Sequence, residues 1–202
     1  MGNWYTNVCV RGVQQPDVVA ALDELGRRAY LTPDLGGWIV IYDQESDKFD
    51  LNELESLALT ISARLACTAL ATFNADDDVL WLGIYENGKL STRYASAQKH
   101  FEDGGEFPLI PEVTEVLCRV FHSPEKDAQV RKILRRPHGV LGLLPIFFRI
   151  RIAYLTEILR HGDLAEALGM PLASVGLGYE YVNRGETPEG LSRGKLRRTL
   201  NG

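Results

Sequence analysis

Trp4-Tyr5-Thr6-Asn7-Val8-Cys9-Val10-Arg11 alternates with a period of two. Trp4, Thr6, Val8 and Val10 share one face, and Tyr5, Asn7, Cys9 and Arg11 share the other. That period, with its β-branched bias, predicts a half-buried strand that stops at Gly12. Pro16 sits where a first helical turn tolerates it, and Val18, Val19, Leu22 and Leu25 keep helical spacing up to Gly26. Ala29 to Thr32 reads as a short strand, Pro33 to Gly37 as a turn, and Trp38 to Tyr42 as an apolar strand.

Asp50 and Glu53 have the spacing of a reciprocal helix N-cap. Leu54, Leu57, Ala58, Ile61 and Leu65 then form one apolar stripe. Thr68 to Asn74 is the next strand. Val79 to Tyr85 and Leu90 to Tyr94 flank Asn87-Gly88, a pair that accepts the positive φ angles of a two-residue hairpin turn. The order β-α-β-β-α-β matches two split βαβ units. The expected fold is therefore α+β: a ferredoxin-like unit with an added hairpin, then a helical C-terminal lobe. The expected boundaries are 1–97 for the α+β domain, 98–110 for a linker, 111–185 for the lobe packed on it and 186–202 for a polar tail. Within the lobe, helices are expected from Pro111, from Ser123-Pro124 to about Arg136, from about Pro145 to His161, and from Asp163 to Leu168.

The 202 residues are 45% apolar and 24% charged, ordinary for a chain with a sizeable core. The net charge of −5 does not favour phosphate backbones. Residues 1–100 carry 8 basic and 14 acidic groups, whereas residues 101–202 carry 14 and 13. The N-terminus shows no basic segment followed by an apolar one. Arg149 and Arg151 interrupt the apolar stretch 140–159, so no membrane span is expected. Cys9, Cys67 and Cys118 are too scattered for a disulfide framework or a zinc site and read as reduced core residues. These features predict a cytoplasmic protein.

No phosphate-loop, dinucleotide or serine-hydrolase motif occurs, and no cofactor is implied. Asp76-Asp77-Asp78 offers carboxylates to a hard cation, but adjacent side chains point apart, and a solvated turn is the favoured reading. His100, His122, His138 and His161 lack ligand spacing. His122 and His161 are expected at helix C-termini, where the dipole favours a proton. Cys118 lies among apolar helical neighbours, which favours an inert thiol. Arg131, Lys132, Arg135 and Arg136, with Arg149 and Arg151, form either an anion or nucleic-acid contact or a face that complements the acidic half. Tyr5, Trp38, Tyr42, Trp81 and Tyr85 lie on strands. They are core, or they line an open sheet face that meets a partner.

Leu164 to Met170, continuing to Val175, resembles the helix-turn-helix core of phage-repressor-like proteins. Pro171, Gly176 and Gly178 depart from it, and no Arg, Asn or Gln is placed to read bases. Asn3-Trp4-Tyr5-Thr6-Asn7, Gly26-Arg27-Arg28-Ala29-Tyr30, Asp76 to Trp81 and Gly178-Tyr179-Glu180-Tyr181 are similar to a bacterial protein family of about this length without an assigned activity. That resemblance implies a bacterial, cytosolic protein and no site residues. The expected function is a non-enzymatic protein-interaction or regulatory module whose partner is another protein. Nucleic-acid binding through the basic lobe and metal-dependent catalysis at Asp76-Asp77-Asp78 are the alternatives.

Overall fold

The computed structural model describes residues 2–104, 106–138 and 153–199. Seven antiparallel-paired strands form one sheet in the order β6-β5-β4-β1-β3-β2-β7. They are β1 Tyr5–Arg11, β2 Ala29–Leu31, β3 Trp38–Asp43, β4 Thr68–Ala75, β5 Val79–Glu86, β6 Lys89–Ala95 and β7 Arg197–Arg198. The first two helices are α1, Gln15–Glu24, and α2, Leu51–Arg64. The described helices of the second half are α3 Ile110–Val120, α4 Asp127–Arg135, α5 Glu157–Leu168 and α6 Tyr179–Arg184. No described helix is long and apolar enough to cross a membrane.

Period-two alternation sends the side chains of the central strands into two separate cores. Val8 and Val10 of β1, Ile39 and Ile41 of β3, and Trp81 and Tyr85 of β5 pack with Val18, Leu22, Leu54 and Ile61 of α1 and α2. Cys9, Val40, Tyr42, Leu70, Leu82 and Ile84 face the other way. There they pack with Leu117, Val130, Leu134, Leu164, Leu168 and Val182 of the later helices. Strand β1 is therefore buried on both faces, not on one as its alternation suggests; only Arg11 emerges. A sheet covered on both sides needs no polar face. Gly83 belongs to this packing, because a Cβ there would meet Trp81 Cη2 at 2.3 Å.

Local chemistry sets the element ends. Asp50 caps α2, accepting from the Asn52 and Glu53 amides. The expected reciprocal bond is replaced: the Glu53 carboxylate pairs instead with Arg27 at 2.9 Å. Asn87 and Gly88 take φ angles of 51° and 76° between β5 and β6, as their hairpin reading requires. Ser123-Pro124 opens a short 3-10 turn, Pro124–Lys126, ahead of α4. Of the helix expected from about Pro145 to His161, residues 145–152 lie outside the described residues and residues 153–156 are not helical. Its expected end and the short helix expected after it are one continuous element, α5. Gly169 stops it in the left-handed conformation, φ 67°.

In the segment 186–202, Arg197 and Arg198 pair with Leu31 and Tyr30 as the edge strand β7. The hydroxyl of Thr199 donates to the Arg27 carbonyl and accepts from the Ala29 amide. Between β6 and α3, Phe101 and Phe107 pack against the core under α1 and α2.

Candidate functional site

The end of the sheet where β1 begins gathers the turn between β4 and β5, the start of α5 and the loop before α6. Asp76 and Asp77 turn the chain with φ angles of 52° and 59°. Asp76 Oδ1 accepts from the Gly2 amide and from Trp4 Nε1, at 2.9 and 3.1 Å. Asp77 accepts from the Asn3 amide at 2.9 Å and from Asn74 Nδ2 at 3.2 Å. Asp78 faces His138 Nε2 at 3.4 Å. Each carboxylate has its own protein partner. Among the described residues, no group of three or more His, Cys, Asp or Glu side chains is placed to hold a metal ion.

Behind this turn lies a buried polar network. His138 Nδ1 stands 3.1 Å from Oε1 of the fully buried Glu157. Arg160 donates to both Glu157 oxygens and, through Nη1, to the Ile133 and Leu134 carbonyls. Its guanidinium also lies 4.6 Å from the centroid of the Tyr154 ring, while the Tyr154 hydroxyl donates to Asp163 at 2.7 Å. A buried ion pair persists only when its remaining polar atoms are also satisfied, and these are. The arrangement ties 133–138 to 154–163. It positions His138 between two carboxylates and brings no thiol or hydroxyl onto either ring nitrogen among the described residues.

His161 corrects the expectation made for it. It is the fifth residue of α5, in the N-terminal half of that helix and not at its C-terminus, and is fully buried. Burial pushes its pKa down to about 3, so the imidazole is neutral. Its Nδ1 is 2.7 Å from the Tyr5 hydroxyl, and its Nε2 has no hydrogen-bond partner among the described residues. Asp47 is buried nearby, accepting from the Thr6 amide and hydroxyl and from the Glu180 amide. Burial raises its pKa to about 6 against these bonds. His122 follows α3 in a left-handed conformation, φ 53°.

The five strand aromatics do not form a partner surface. Tyr5, Trp38, Tyr42, Trp81 and Tyr85 are all within 3% of full burial, because helices occupy both sheet faces. Of the four basic residues on and after α4, Arg131 pairs with Asp127, and Arg136 meets Asp163 and the Tyr154 hydroxyl. Lys132 and Arg135 remain exposed, while Arg149 and Arg151 lie outside the described residues. Among the described residues, the pairs of oppositely charging side chains that join the acidic and basic halves are Arg119 with Glu86 and His138 with Asp78. The repressor-like segment becomes a packing loop. Its second part is the three-residue 3-10 turn Leu172–Ser174, whose Ala173 and Ser174 carbonyls accept from Tyr42 and Asn7. Burial also raises the pKa of the Cys118 thiol, in keeping with an inert core residue.

The surface that sequence reasoning missed lies outside this network. Trp4 and Phe49 meet edge to face at 4.9 Å and stay 40% and 38% exposed. Leu155, Leu159 and Leu172 are 44%, 42% and 55% exposed on elements of the same end. These elements are joined by bonds from the Glu157 amide to the Asp77 carbonyl and from Asn3 Nδ2 to the Gly176 carbonyl. The one sequence signal was Trp4, a large aromatic at a strand's outer end. No family model matches the chain, and no curated protein or solved structure is significantly similar to it.

Proposed function

We propose that this chain is a non-enzymatic protein-interaction or regulatory module that binds its partner at the end of the sheet carrying Trp4 and Phe49. We read its central unit as ferredoxin-like. The order β4-β1-β3-β2 with α1 and α2 on one face supports that reading. The function rests on one observation: Trp4 and Phe49 meet edge to face at 4.9 Å and stay exposed, and Leu155, Leu159 and Leu172 are exposed on elements bonded to the same end of the sheet. Apolar groups clustered on a surface, with aromatics among them, mark protein contacts more often than scattered ones do. Asp76 and Asp78 border the set, so the partner is expected to present an apolar anchor flanked by basic residues.

The test compares quantitative affinity capture from a bacterial lysate by the wild type and by a Trp4→Ser/Phe49→Ser double variant. A partner enriched by the wild type and lost in a variant of unchanged circular dichroism supports the reading. Identical capture by both removes this surface from consideration.

A further inference from the structure

The opposite end of the sheet holds a cavity of about 420 Å³ where β1 stops, lined by Arg11, Gly12, Cys67, Glu86, Arg119 and His122. The volume is in the range of small-molecule sites. Three features of its walls point to an oxyanion.

First, two guanidinium groups from different elements border it, and both are held. Arg11 Nη1 donates to the Val120 carbonyl at 2.7 Å, and its guanidinium lies 5.6 Å from the Trp38 ring centroid. Arg119 makes two parallel bonds to Glu86, at 2.8 and 2.6 Å. A guanidinium carries five N–H donors, so both retain free ones. Second, the charges do not balance. Arg11 and Arg119 face Glu86 alone among the carboxylates of this wall, and His122 adds an imidazole without a hydrogen bond to the described residues. The Arg119 guanidinium lowers the pKa of Glu86, which stays ionised, leaving a formal surplus of one positive charge among the groups lining this cavity. Third, the backbone is approachable. Gly12 has φ +84°, and nothing lies within 4 Å of where its Cβ would be.

The cavity also opens both ways. Gly12 is shared with a groove of about 670 Å³ bordered by Asp17, Glu24 and Arg64. Arg119 and His122 are shared with a hollow of about 460 Å³ lined also by Glu115, Cys118, Pro124 and Asp127, the last paired with Arg131. We propose that this trough binds a small molecule through a phosphate or carboxylate group seated between Arg11 and Arg119. The planar guanidinium fork suits both oxyanions, and the acidic groove beyond Gly12 suits donor groups on the rest of the ligand.

The probes are inorganic phosphate and citrate, titrated at constant ionic strength and followed by melting temperature and by amide chemical shifts. Saturable binding is expected, with a rise of about 3 °C at tenfold excess over the dissociation constant. The perturbed amides are expected to be those of Gly12, Ala66, Cys67, Asn87 and His122. Arg11→Gln should bind about tenfold more weakly, and Glu86→Gln should bind more tightly, each judged against its own unliganded melting point. A stronger response to phosphate than to citrate, or the reverse, identifies the group preferred. No saturable response to either probe at roughly 20 mM overturns the proposal. So do shifts confined to Lys132 and Arg135, or an affinity indifferent to both substitutions.

Discussion

Where β1 begins, the polar side chains are buried and joined to each other. Asn7 Nδ2 donates to two carbonyls of the loop before α6, Asp47 accepts three bonds, and Arg160 reaches four oxygens. Where β1 ends, Arg11, Arg119 and Glu86 surround open space, and Arg119 is 56% exposed. Both ends carry charge, but it does different work. At the first end a lost group leaves a partner buried and unpaired. At the second it leaves a partner in water. The buried groups of the first end therefore hold the fold, whereas the charged groups of the second face open space.

The sharpest way to break this contrast is Arg160→Leu. The residue is 1% exposed, and its loss takes the guanidinium from the buried Glu157 carboxylate, leaving His138 beside it, while the Ile133 and Leu134 carbonyls keep the Arg136 amide and the Tyr94 hydroxyl. Unpairing a buried ion pair costs about 3–5 kcal/mol. Urea unfolding should show that loss, and Glu157→Leu added to it should return part, since no bare carboxylate is then left. A single-variant cost under about 1 kcal/mol would place this network with ordinary surface pairs.

Gly178→Ala comes next. Its backbone is extended, so φ strain is not the issue. A Cβ there would lie 2.2 Å from Asp47 Oδ1. Asp47 must then move off the Thr6 and Glu180 amides, at an expected cost of about 2–3 kcal/mol. Equal stability of wild type and variant would mean that Asp47 does not anchor this loop.

Asp47 and His161 also give this end an acid response of two opposed parts. His161 ionises near 6.5 when unfolded but near 3 when folded. Between these values the unfolded chain binds a proton the fold does not, so its contribution to stability falls as pH falls, by up to about 1.4 kcal/mol per unit. Asp47 is the reverse: about 6 folded against 3.8 unfolded. From pH 6 to 4 the fold holds a proton that the unfolded chain lacks, so acidification stabilises. Difference curves against wild type should show Asp47→Asn losing stability more steeply from pH 6 to 4. His161→Gln should lose it less steeply. Parallel curves would show that neither group titrates differently on folding.

The strands and first two helices were legible because their signals are local: alternation in 4–11, a helical stripe in 54–65, and Asn87-Gly88 with its special φ. What covers the sheet was not. Alternation in β1 says that Thr6, Val8 and Val10 turn away from Asn7 and Cys9, but not that a second core waits on the other side. Asn7 looks like a surface residue until its amide is seen to bond Ser174 and Leu177, some 170 positions later. His161 was misplaced because its helix begins at Glu157, where Thr156 caps it without a side-chain bond. The oxyanion trough was equally hidden. Arg11 and Arg119 are distant in sequence; antiparallel pairing of β1, β4 and β5 brings Glu86 to the end of β1, and α3 packs there with Arg119 on Glu86 and the Val120 carbonyl on Arg11.

The smallest expected effect lies at that trough. Arg119→Gln breaks two short bonds to Glu86, geometry that by distance alone rivals the Glu157–Arg160 pair. Distance is not what decides the cost. Arg119 is already mostly in water, so losing it exposes Glu86 to solvent instead of stranding it, and such pairs contribute about 0.2–1 kcal/mol. Urea midpoints in low and high salt separate the cases: the Arg119→Gln deficit should shrink as salt screens the exposed pair, while the Arg160→Leu deficit should persist. A large, salt-resistant deficit at Arg119 would mean that both ends are structural, and that the arginines of the trough are not free to exchange Glu86 for a ligand.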